Sequence, residues 1–306
     1  MEQAVEFPQM IAIGCGLDVH KEIIVATIFK NGQFFETKEF RSTTSSLTSL
    51  RDWLKTEKVT DVAMESTGVY WKPVYNILEE DFKVMIVNAR HIKNIPGHKT
   101  DKKDSAWIAK LLVSGLLRGS FVPPKKIRQL RDLVRYMKKV TAQIASEKNR
   151  IIKYLEDANL KLSSVLSNVD GATGTKVIND LIAGVTDVND LLKHYHGKIN
   201  ATKQEFKEAL VGTLNEHHRF MLQITKDSIA DKEKLIQRIE AQIDEMVKEY
   251  QTEVELLQTI PGVGKQSAIT IISEIGVDMS KFATEQHLSS WSGMSPGNNE
   301  SGGKKK

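Results

Sequence analysis

Residues 10–40 read "MIAIGCGLDVHKEIIVATIFKNGQFFETKEF", and this stretch decides how the chain begins to fold. Its first part, 10–20, is apolar and ends in polar residues, as a buried strand does. The remainder has two β-rich runs on either side of Asn31-Gly32, a dipeptide that tolerates the positive φ angles of a tight hairpin turn. Residues 10–40 therefore predict three strands that open an antiparallel meander.

Helices and strands alternate after this meander. The helical candidates are 45–57, 69–81 and 101–117, and the strand candidates between them are 59–65 and 83–89. The resulting order β-β-β-α-β-α-β-α predicts a mixed sheet with helices on its faces. This order is typical of ribonuclease-H-like folds, so we expect an α/β domain of that type at the start of the chain.

Four acidic residues fall at matching points of the predicted sheet. Asp18 lies at the end of the first strand and Glu65 at the end of the fourth, while Asp101 and Asp104 share one helix face at i, i+3 spacing. We expect the four carboxylates to meet at one edge of the sheet. Hard oxygen ligands suit Mg²⁺ or Mn²⁺, and two such ions can stabilise both oxygens of a phosphoryl displacement.

Each of these acids also has a structural explanation when it is taken alone. Asp18 fits a turn at a strand end, Glu65 fits a cap of the following helix, and Asp101 complements a helix dipole. Asp104 could simply pair with a neighbouring lysine. The coincidence of all four positions in one fold favours the metal site.

The composition limits the classes of protein that the chain can represent. It has 306 residues, 40% of them hydrophobic, which is enough for two or three domains. The single cysteine, Cys15, excludes an intramolecular disulfide framework and a thiolate-rich metal site. A net charge of +4 is compatible with a nucleic-acid partner without proving one. With no secretory signal and no long apolar run, we expect a soluble cytoplasmic protein without a membrane partner.

Three motifs carry a resemblance to a known family: "GLDVHK" (16–21), "MESTGVYW" (64–71) and "NARHIKNIPGHKTDKKDSAWIAKLL" (88–112). They resemble the DEDD-type transposases of insertion sequences, the IS110 family, which is related to the Piv DNA invertase. The resemblance implies a RuvC-like domain whose carboxylates match Asp18, Glu65, Asp101 and Asp104. It also implies Mg²⁺-dependent (or Mn²⁺-dependent) strand exchange between donor and target DNA, guided by a bridge RNA, at the bacterial nucleoid.

The sequence predicts three regions: a RuvC-like domain at 8–122, a helical coiled-coil region at 123–254, and a C-terminal transposase domain at 255–306. In the second region, apolar residues recur at alternating spacings of 3 and 4 from Ile127 to Leu155, and again from Ile229 to Tyr250. Two such helices can form an antiparallel hairpin within one chain or pair between chains. We expect a homo-oligomer, either a dimer or a tetramer.

Basic residues accompany both the acidic site and the first long helix. Lys99, Lys102 and Lys103 surround Asp101, where they could hold a phosphate backbone close to the metal ions. A second group, which we call the basic stripe, flanks the apolar seam; it consists of Arg128, Arg131, Arg135 and Lys138. We predict that both groups bind nucleic acid, and the alternative for each is an ordinary solvated face.

Residues 256–276, "LLQTIPGVGKQSAITIISEIG", resemble a helix-hairpin-helix. Gly262 and Gly264 form the turn, and the second helix begins near Lys265, where backbone N–H groups can bind a phosphate without reading bases. A nucleotide-binding P-loop is excluded, because Thr259 stands at the required first glycine and Gln266 replaces the required Ser or Thr.

The segment "PGNNESG" (296–302) resembles the family's Pro-x-x-x-x-Ser-Gly motif. The resemblance implies that Ser301 attacks a DNA phosphate and becomes covalently linked to it. Taken alone, a serine in a stretch rich in Gly and Asn is a linker residue. Family members continue well beyond this serine, whereas the sequence ends at Lys306. We therefore expect a shortened chain.

Three alternative functions stay open. A hydrolytic nuclease with the same fold would use activated water in place of Ser301. A shortened, non-catalytic relative would bind nucleic acid without cutting it. A sugar kinase or actin-like ATPase also begins with a strand similar to "GLDVHK", but the Gly or Thr that normally follows the Asp is lacking and no phosphate motif recurs later.

Overall fold

The structure is a computed structural model that describes residues 10–66, 68–88, 104–294, 300–301 and 304–305. The chain divides into two compact units, Met1–Val122 and Pro123–Lys306. The division between the units falls where the predicted RuvC-like domain ends. None of the helices in the described part of the chain combines the length and the apolar character needed to cross a membrane.

The first unit begins with the predicted meander. Strand β1 (Ile13–Val19) pairs antiparallel with β2 (Ile23–Lys30), and β2 pairs antiparallel with β3 (Gln33–Arg41). The turn between β2 and β3 has positive φ at both central residues, 53° at Asn31 and 80° at Gly32. The hairpin predicted from this dipeptide is therefore confirmed.

The rest of the first unit extends the sheet on the other side of β1. Helix α1 (Thr44–Thr56) leads to β4 (Asp61–Glu65), and α2 (Trp71–Leu78) leads to β5 (Lys83–Val87). Helix α3 (Asp104–Val113) precedes the short strand β6 (Gly119–Ser120). Strands β1, β4 and β5 are parallel, and the order across the sheet is β3-β2-β1-β4-β5-β6. A mixed sheet with helices, as predicted, is confirmed for this unit.

The two faces of the sheet are covered differently. One face packs Cys15, Leu17 and Met64 against the buried leucines of α1 and against α2. The opposite face presents Gly14 and Gly16 of β1, and we call it the glycine face. Helix α3 lies on this face, where Ile108 and Leu112 pack against Ala63 of β4. The missing side chains of the two glycines allow α3 to approach the strand closely.

The second unit is built on two long helices, α4 (Lys125–Asp157) and α9 (Glu216–Val247). The beginning of α4 packs against the end of α9, and the end of α4 packs near Leu222 at the beginning of α9. The two helices are thus antiparallel within one chain, which is the first of the two arrangements that the apolar seams allowed. Near the middle of α4, Val140 is buried while the predicted seam residue Thr141 is exposed.

Four short helices connect the two long ones and bury their apolar residues around Phe206. They are α5 (Leu162–Val165), α6 (Ala172–Ile182), α7 (Val188–Leu192) and α8 (Lys203–Ala209). Helices α8 and α9 each begin with a capping box, in which Thr202 and Asn215 accept a hydrogen bond from the third helical N–H. These caps fix the residues at which α8 and α9 begin.

The last helices pack on the same core as the long hairpin. A 3₁₀ turn (Lys248–Tyr250) continues α9 into α10 (Gln251–Gln258), and α11 (Lys265–Ile275) follows. Ile269 and Ile272 of α11 share a hydrophobic cluster with Ile127 of α4 and Ile243 of α9. The predicted boundary between the second and third regions, at 254–255, thus lies within one hydrophobic core. The division of the chain into three regions stays a prediction. A 3₁₀ turn (Met279–Lys281), α12 (Glu285–Trp291) and the paired β7 (Glu300–Ser301) and β8 (Lys304–Lys305) follow.

Candidate active site

Asp18 and Glu65 lie side by side at the ends of two parallel strands. The pairing of β1 with β4 runs to Leu17 beside Met64, and the next residue on each strand is Asp18 and Glu65. Neighbouring parallel strands lie about 4.8 Å apart, and residues in register point to the same face. Asp18 shares its face with Gly16, two residues earlier, so both carboxylates belong to the glycine face. Both residues are half-buried.

Asp104 approaches this pair from the helix that covers the glycine face. It is the first residue of α3, and the next residue, Ser105, lies directly over β1. A Cβ placed on Gly16 would be 2.1 Å from the Ser105 carbonyl oxygen and 2.3 Å from the Ala109 nitrogen. The start of α3 is therefore held against the strand that carries Asp18. We call Asp18, Glu65 and Asp104 the carboxylate edge.

The carboxylate of Asp18 is close to a basic side chain on its solvent side. His20 Nε2 lies 3.0 Å from Asp18 Oδ2, and the side chain of Asp18 is 26% exposed. With its proton on Nε2, the imidazole donates a hydrogen bond to this oxygen. A cation bound by Asp18 would compete with His20 for the same carboxylate.

The complete set of four carboxylates stays a prediction. Asp101 lies outside the described residues, as do Lys99, Lys102 and Lys103, which were predicted to surround it. Within the described residues, no group of three or more His, Cys, Asp or Glu side chains is arranged to hold a metal ion. What the structure adds is the shared face and strand register of Asp18 and Glu65, together with the start of α3 on that face.

Two members of the basic stripe contact the end of α11. Arg131 donates from Nε to the Ser273 carbonyl at 3.0 Å and from Nη2 to the Glu274 carbonyl at 2.6 Å. Arg135 forms a two-pronged contact with the Glu274 carboxylate, at 2.8 and 2.7 Å. Both contacts are made at the end of α11, where helix carbonyls lack partners within the helix and cations are favoured. The two arginines therefore hold α11 against α4.

The electrostatics of this contact agree with its geometry. The hydrogen bond from Arg135 lowers the pKa of Glu274 below the ordinary glutamate value. Burial lowers the pKa of Arg131, while the nearby Glu274 carboxylate acts in the opposite direction. From the sequence, only the positive charge of these arginines is known. A positive charge can bind a phosphate or the carbonyl groups at a helix end, so the sequence does not distinguish the two roles.

The other two members of the stripe are placed differently. Arg128 donates from Nη1 to the Pro123 carbonyl at 2.8 Å, just before α4 begins. Lys138 is exposed, and its charge acts on the nearby Glu274 carboxylate. Nucleic-acid binding by all four members of the stripe stays a prediction.

The predicted helix-hairpin-helix has the expected elements. Helices α10 and α11 flank a turn in which Gly262 has a φ of +86°, a conformation that favours glycine. Gly264 is the N-cap of α11 and has open space around it, and no side chain caps this helix. Lys265 Nζ lies 2.7 Å from Asp244 Oδ1. The turn is exposed, and its binding of phosphate stays a prediction.

Ser301 lies in β7, and its backbone pairs with Lys304 of β8. Its side chain lies outside what the structure describes, so its predicted role as nucleophile rests on the sequence motif. The three residues Lys304 to Lys306 then follow in the sequence.

Sequence reasoning missed a cavity of about 910 Å³ in the second unit. It lies among the short helices, and its lining includes Lys161, Lys198 and His196 as well as Glu205 and Glu208. Because its lining residues come from separate short helices of the region, no local motif marks it. Its mixed charge does not select one class of ligand.

Two models of known protein families match this chain, one over its first half and one over its last 53 residues. Residues 15–160 match a model described as "Transposase", of the DEDD type in the IS110 group, and this match includes the whole carboxylate edge. Residues 254–306 match the model described as "Transposase IS116/IS110/IS902 family", which includes the helix-hairpin-helix and Ser301. No curated protein matches the chain. Because both matches name the same group and follow each other in the chain, this protein belongs to the IS110 family of insertion-sequence transposases.

Proposed function

We propose that the chain is a metal-dependent recombinase with a RuvC-like first unit and a serine nucleophile. The observation that carries this proposal is the register of β1 and β4, which puts Asp18 beside Glu65 on the face where Asp104 begins α3. Two carboxylates at adjacent strand ends repel each other unless a cation or a proton lies between them. Such a pair is therefore a natural position for a divalent ion in an enzyme that acts on DNA.

The donors on this edge fit a magnesium ion chemically. They are carboxylate oxygens, which Mg²⁺ and Mn²⁺ prefer, and no thiolate is near because Cys15 points to the opposite face. Asp18, Glu65 and Asp104 would hold the ions together with Asp101. When bound, the ions supply positive charge next to the oxygens of the scissile phosphate.

We assign the nucleophile to Ser301, on the family motif. Its Oγ forms a bond to phosphorus while the bond from phosphorus to one deoxyribose oxygen breaks. Because one phosphoester bond forms as the other breaks, their number is conserved. A general base takes the serine proton, and the departing oxygen gains a proton. Reversal of this step on a second DNA end rejoins the strands, which is the requirement for exchange without an external energy source.

The partners follow from the same family proposal. Donor and target DNA are the substrates, and a bridge RNA is proposed as the guide. A homo-oligomer, a dimer or tetramer, would bring the several DNA ends together. We propose that it acts in the bacterial cytoplasm at the nucleoid. Lys138, the exposed turn at Gly262–Gly264 and the predicted lysines around Asp101 are the candidates for contacts to the nucleic-acid backbone.

A single set of variants tests the proposal. Purified protein is mixed with the flanking RNA of its element, donor DNA and target DNA, with Mg²⁺ or with EDTA. We expect strand exchange and a covalent protein–DNA adduct only with Mg²⁺. Asp18→Asn should lose both products and also Mn²⁺ binding measured by calorimetry, whereas Ser301→Ala should keep Mn²⁺ binding and lose the adduct.

Other outcomes select the alternatives. Cleavage without any adduct, retained in Ser301→Ala, would identify a hydrolytic nuclease with the same carboxylates. Tight RNA or DNA binding without cleavage in either metal would identify a non-catalytic relative. Mn²⁺ binding that is unchanged in Asp18→Asn and Asp104→Asn would remove the carboxylate edge as the metal site.

A further inference from the structure

A chain of three hydroxyl groups crosses the first unit beside the carboxylate edge. Thr27 Oγ1 in the middle of β2 lies 2.8 Å from Ser105 Oγ in α3 and 2.9 Å from Thr37 Oγ1 in β3. Thr27 is 1% exposed and Ser105 is 4% exposed, so water does not replace the contact between these two, whereas Thr37 is exposed. Thr27 and Ser105 are thus buried polar groups between β2 and α3, which otherwise meet through apolar side chains such as Phe29 and Val113.

The strand register explains why this contact acts on the helix start. Thr27 pairs with Gly16 across β1 and β2, so its side chain projects from the glycine face. Ser105 lies over the same place, because its carbonyl oxygen is the nearest atom to the space above Gly16. The hydroxyl bond therefore joins the sheet to the first turn of α3, one residue after Asp104.

Apolar packing alone would leave the helix start less well defined. Farther along α3, Ile108, Leu111 and Leu112 pack into the hydrophobic cluster, and such contacts tolerate small sliding and rotation. A buried hydrogen bond does not, because Ser105 loses this partner when the helix moves and Thr27 keeps only its bond to Thr37. The bond between Thr27 and Ser105 thus sets the rotation of the first turn, and with it the direction in which Asp104 leaves the backbone.

We propose that Thr27 is a positioning residue for the metal site: its hydroxyl, acting through Ser105, holds Asp104 in the orientation needed to bind a divalent cation beside Asp18 and Glu65. This inference rests on the proposed function of the carboxylate edge. Thr27 itself touches neither the cation nor the DNA. Groups hydrogen-bonded directly to metal ligands commonly change metal affinity by about 10- to 100-fold when removed, and we expect Thr27, which acts one residue further away, to lie at the lower end of that range.

The test measures Mn²⁺ binding to the protein without DNA, by calorimetry and by electron paramagnetic resonance. Thr27→Val keeps the shape of the side chain and removes the hydroxyl, and we expect its Mn²⁺ affinity to fall about 10-fold or more. Ser105→Ala should give a similar loss. Thr27→Ser restores the hydroxyl and should recover most of the affinity, which a role in packing alone would not produce.

Thr37→Val is the matched control. It removes the other hydrogen bond of Thr27, whose length differs by only 0.1 Å, but Thr37 is exposed on the edge strand β3 and its hydroxyl bond is made to β2. We expect its Mn²⁺ affinity to stay within about 2-fold of the unchanged protein. Thermal unfolding of every variant, followed in parallel, separates loss of folding from loss of metal.

The outcomes distinguish this inference from the proposed function. If the unchanged protein binds Mn²⁺ and Asp104→Asn weakens it, while Thr27→Val and Ser105→Ala bind as tightly as the unchanged protein, the positioning role is wrong and the metal site stands. Equal losses in Thr27→Val and Thr37→Val would also overturn it. If the unchanged protein binds no Mn²⁺, the proposed site is wrong and the positioning role falls with it.

Discussion

Replacing Gly16 with alanine should separate α3 from the sheet. The new Cβ would be 2.1 Å from the Ser105 carbonyl oxygen and 2.3 Å from the Ala109 nitrogen, and both are backbone atoms that cannot rotate away. Ordinary contact begins near 3.4 Å, so the helix start must move by more than 1 Å. Asp104 and the bond between Thr27 and Ser105 would move with it.

The size of the effect can be worked out from this displacement. Overpacking of a well-packed core costs about 1–3 kcal/mol, and a clash with two backbone atoms belongs at the upper end, about 3 kcal/mol. Alanine also restricts the unfolded chain relative to glycine, which returns about 0.4–1 kcal/mol. We expect a net loss of about 2–3 kcal/mol for the first unit, and a lower melting temperature by roughly 10 °C.

The chain contains its own reporter for this unit. Cys15 is the single cysteine of the sequence, it adjoins Gly16, and it is fully buried. Burial strongly raises the pKa of its thiol, so a thiol reagent should react with it only after the unit opens. The rate of Cys15 labelling, measured in increasing urea, gives the opening free energy of the first unit without interference from the second.

Two glycines provide controls for this measurement. A Cβ on Gly14 would be 2.8 Å from a methyl group of Val113, which can move, so Gly14→Ala should cost less than Gly16→Ala. A Cβ on Gly197, in the second unit, would have no neighbour within 4 Å, and its replacement should leave Cys15 labelling unchanged. An opening free energy for Gly16→Ala within about 0.5 kcal/mol of the unchanged protein would refute the close-approach argument.

Three further predictions concern the second unit. Arg131→Met should lower the free energy of unfolding of this unit by about 2–3 kcal/mol, because two carbonyls at the end of α11 lose a charged donor. Urea unfolding measures this cost, and a value below about 0.5 kcal/mol would contradict the role of the contact. Because the folded pKa of Glu274 is lowered, its contribution should be full above the ordinary glutamate pKa of about 4.3 and lost as the pH falls through the lower folded value. The stability gap between the unchanged protein and Glu274→Gln should therefore close on acidification, and a gap independent of pH would rule this out. In salt titrations of DNA binding, Lys138→Gln should reduce the slope of log affinity against log salt by about 0.9, whereas Arg135→Gln should leave it unchanged; the reverse result would return the phosphate contact to Arg135.

Local chemistry made part of the fold predictable. The dipeptide Asn31-Gly32 has few conformations compatible with a strand on each side, and it forms the expected hairpin. The apolar seam of α4 was also readable, except that Val140 replaces Thr141 in the buried row. An α-helix has 3.6 residues per turn, so a strict seven-residue pattern drifts around a straight helix, and the neighbouring residue takes the buried position.

Contacts between distant parts of the chain were not predictable in this way. The bond between Thr27 and Ser105 joins residues 78 positions apart, and Arg131 meets the Glu274 carbonyl across 143 positions. A threonine in a strand and an arginine on a helix each have several ordinary uses, and only the packed structure selects one. The shared edge of Asp18 and Glu65 was predictable because strand order alone brings the ends of parallel strands together.

The common core of α4, α9 and α11 has a consequence during synthesis of the protein. Ile127 is buried against residues as late as Ile272, so α4 emerges from the ribosome long before its partners exist. At about 5–20 residues per second, synthesis from Ile127 to Ile272 takes roughly 7 to 30 seconds, and the stripe is fully covered only at the end of that time. During that interval the stripe can pair with α9 of another chain made on the same messenger. We therefore expect slower translation through residues 158–272 to favour an exchanged pair of chains over a hairpin closed within one chain.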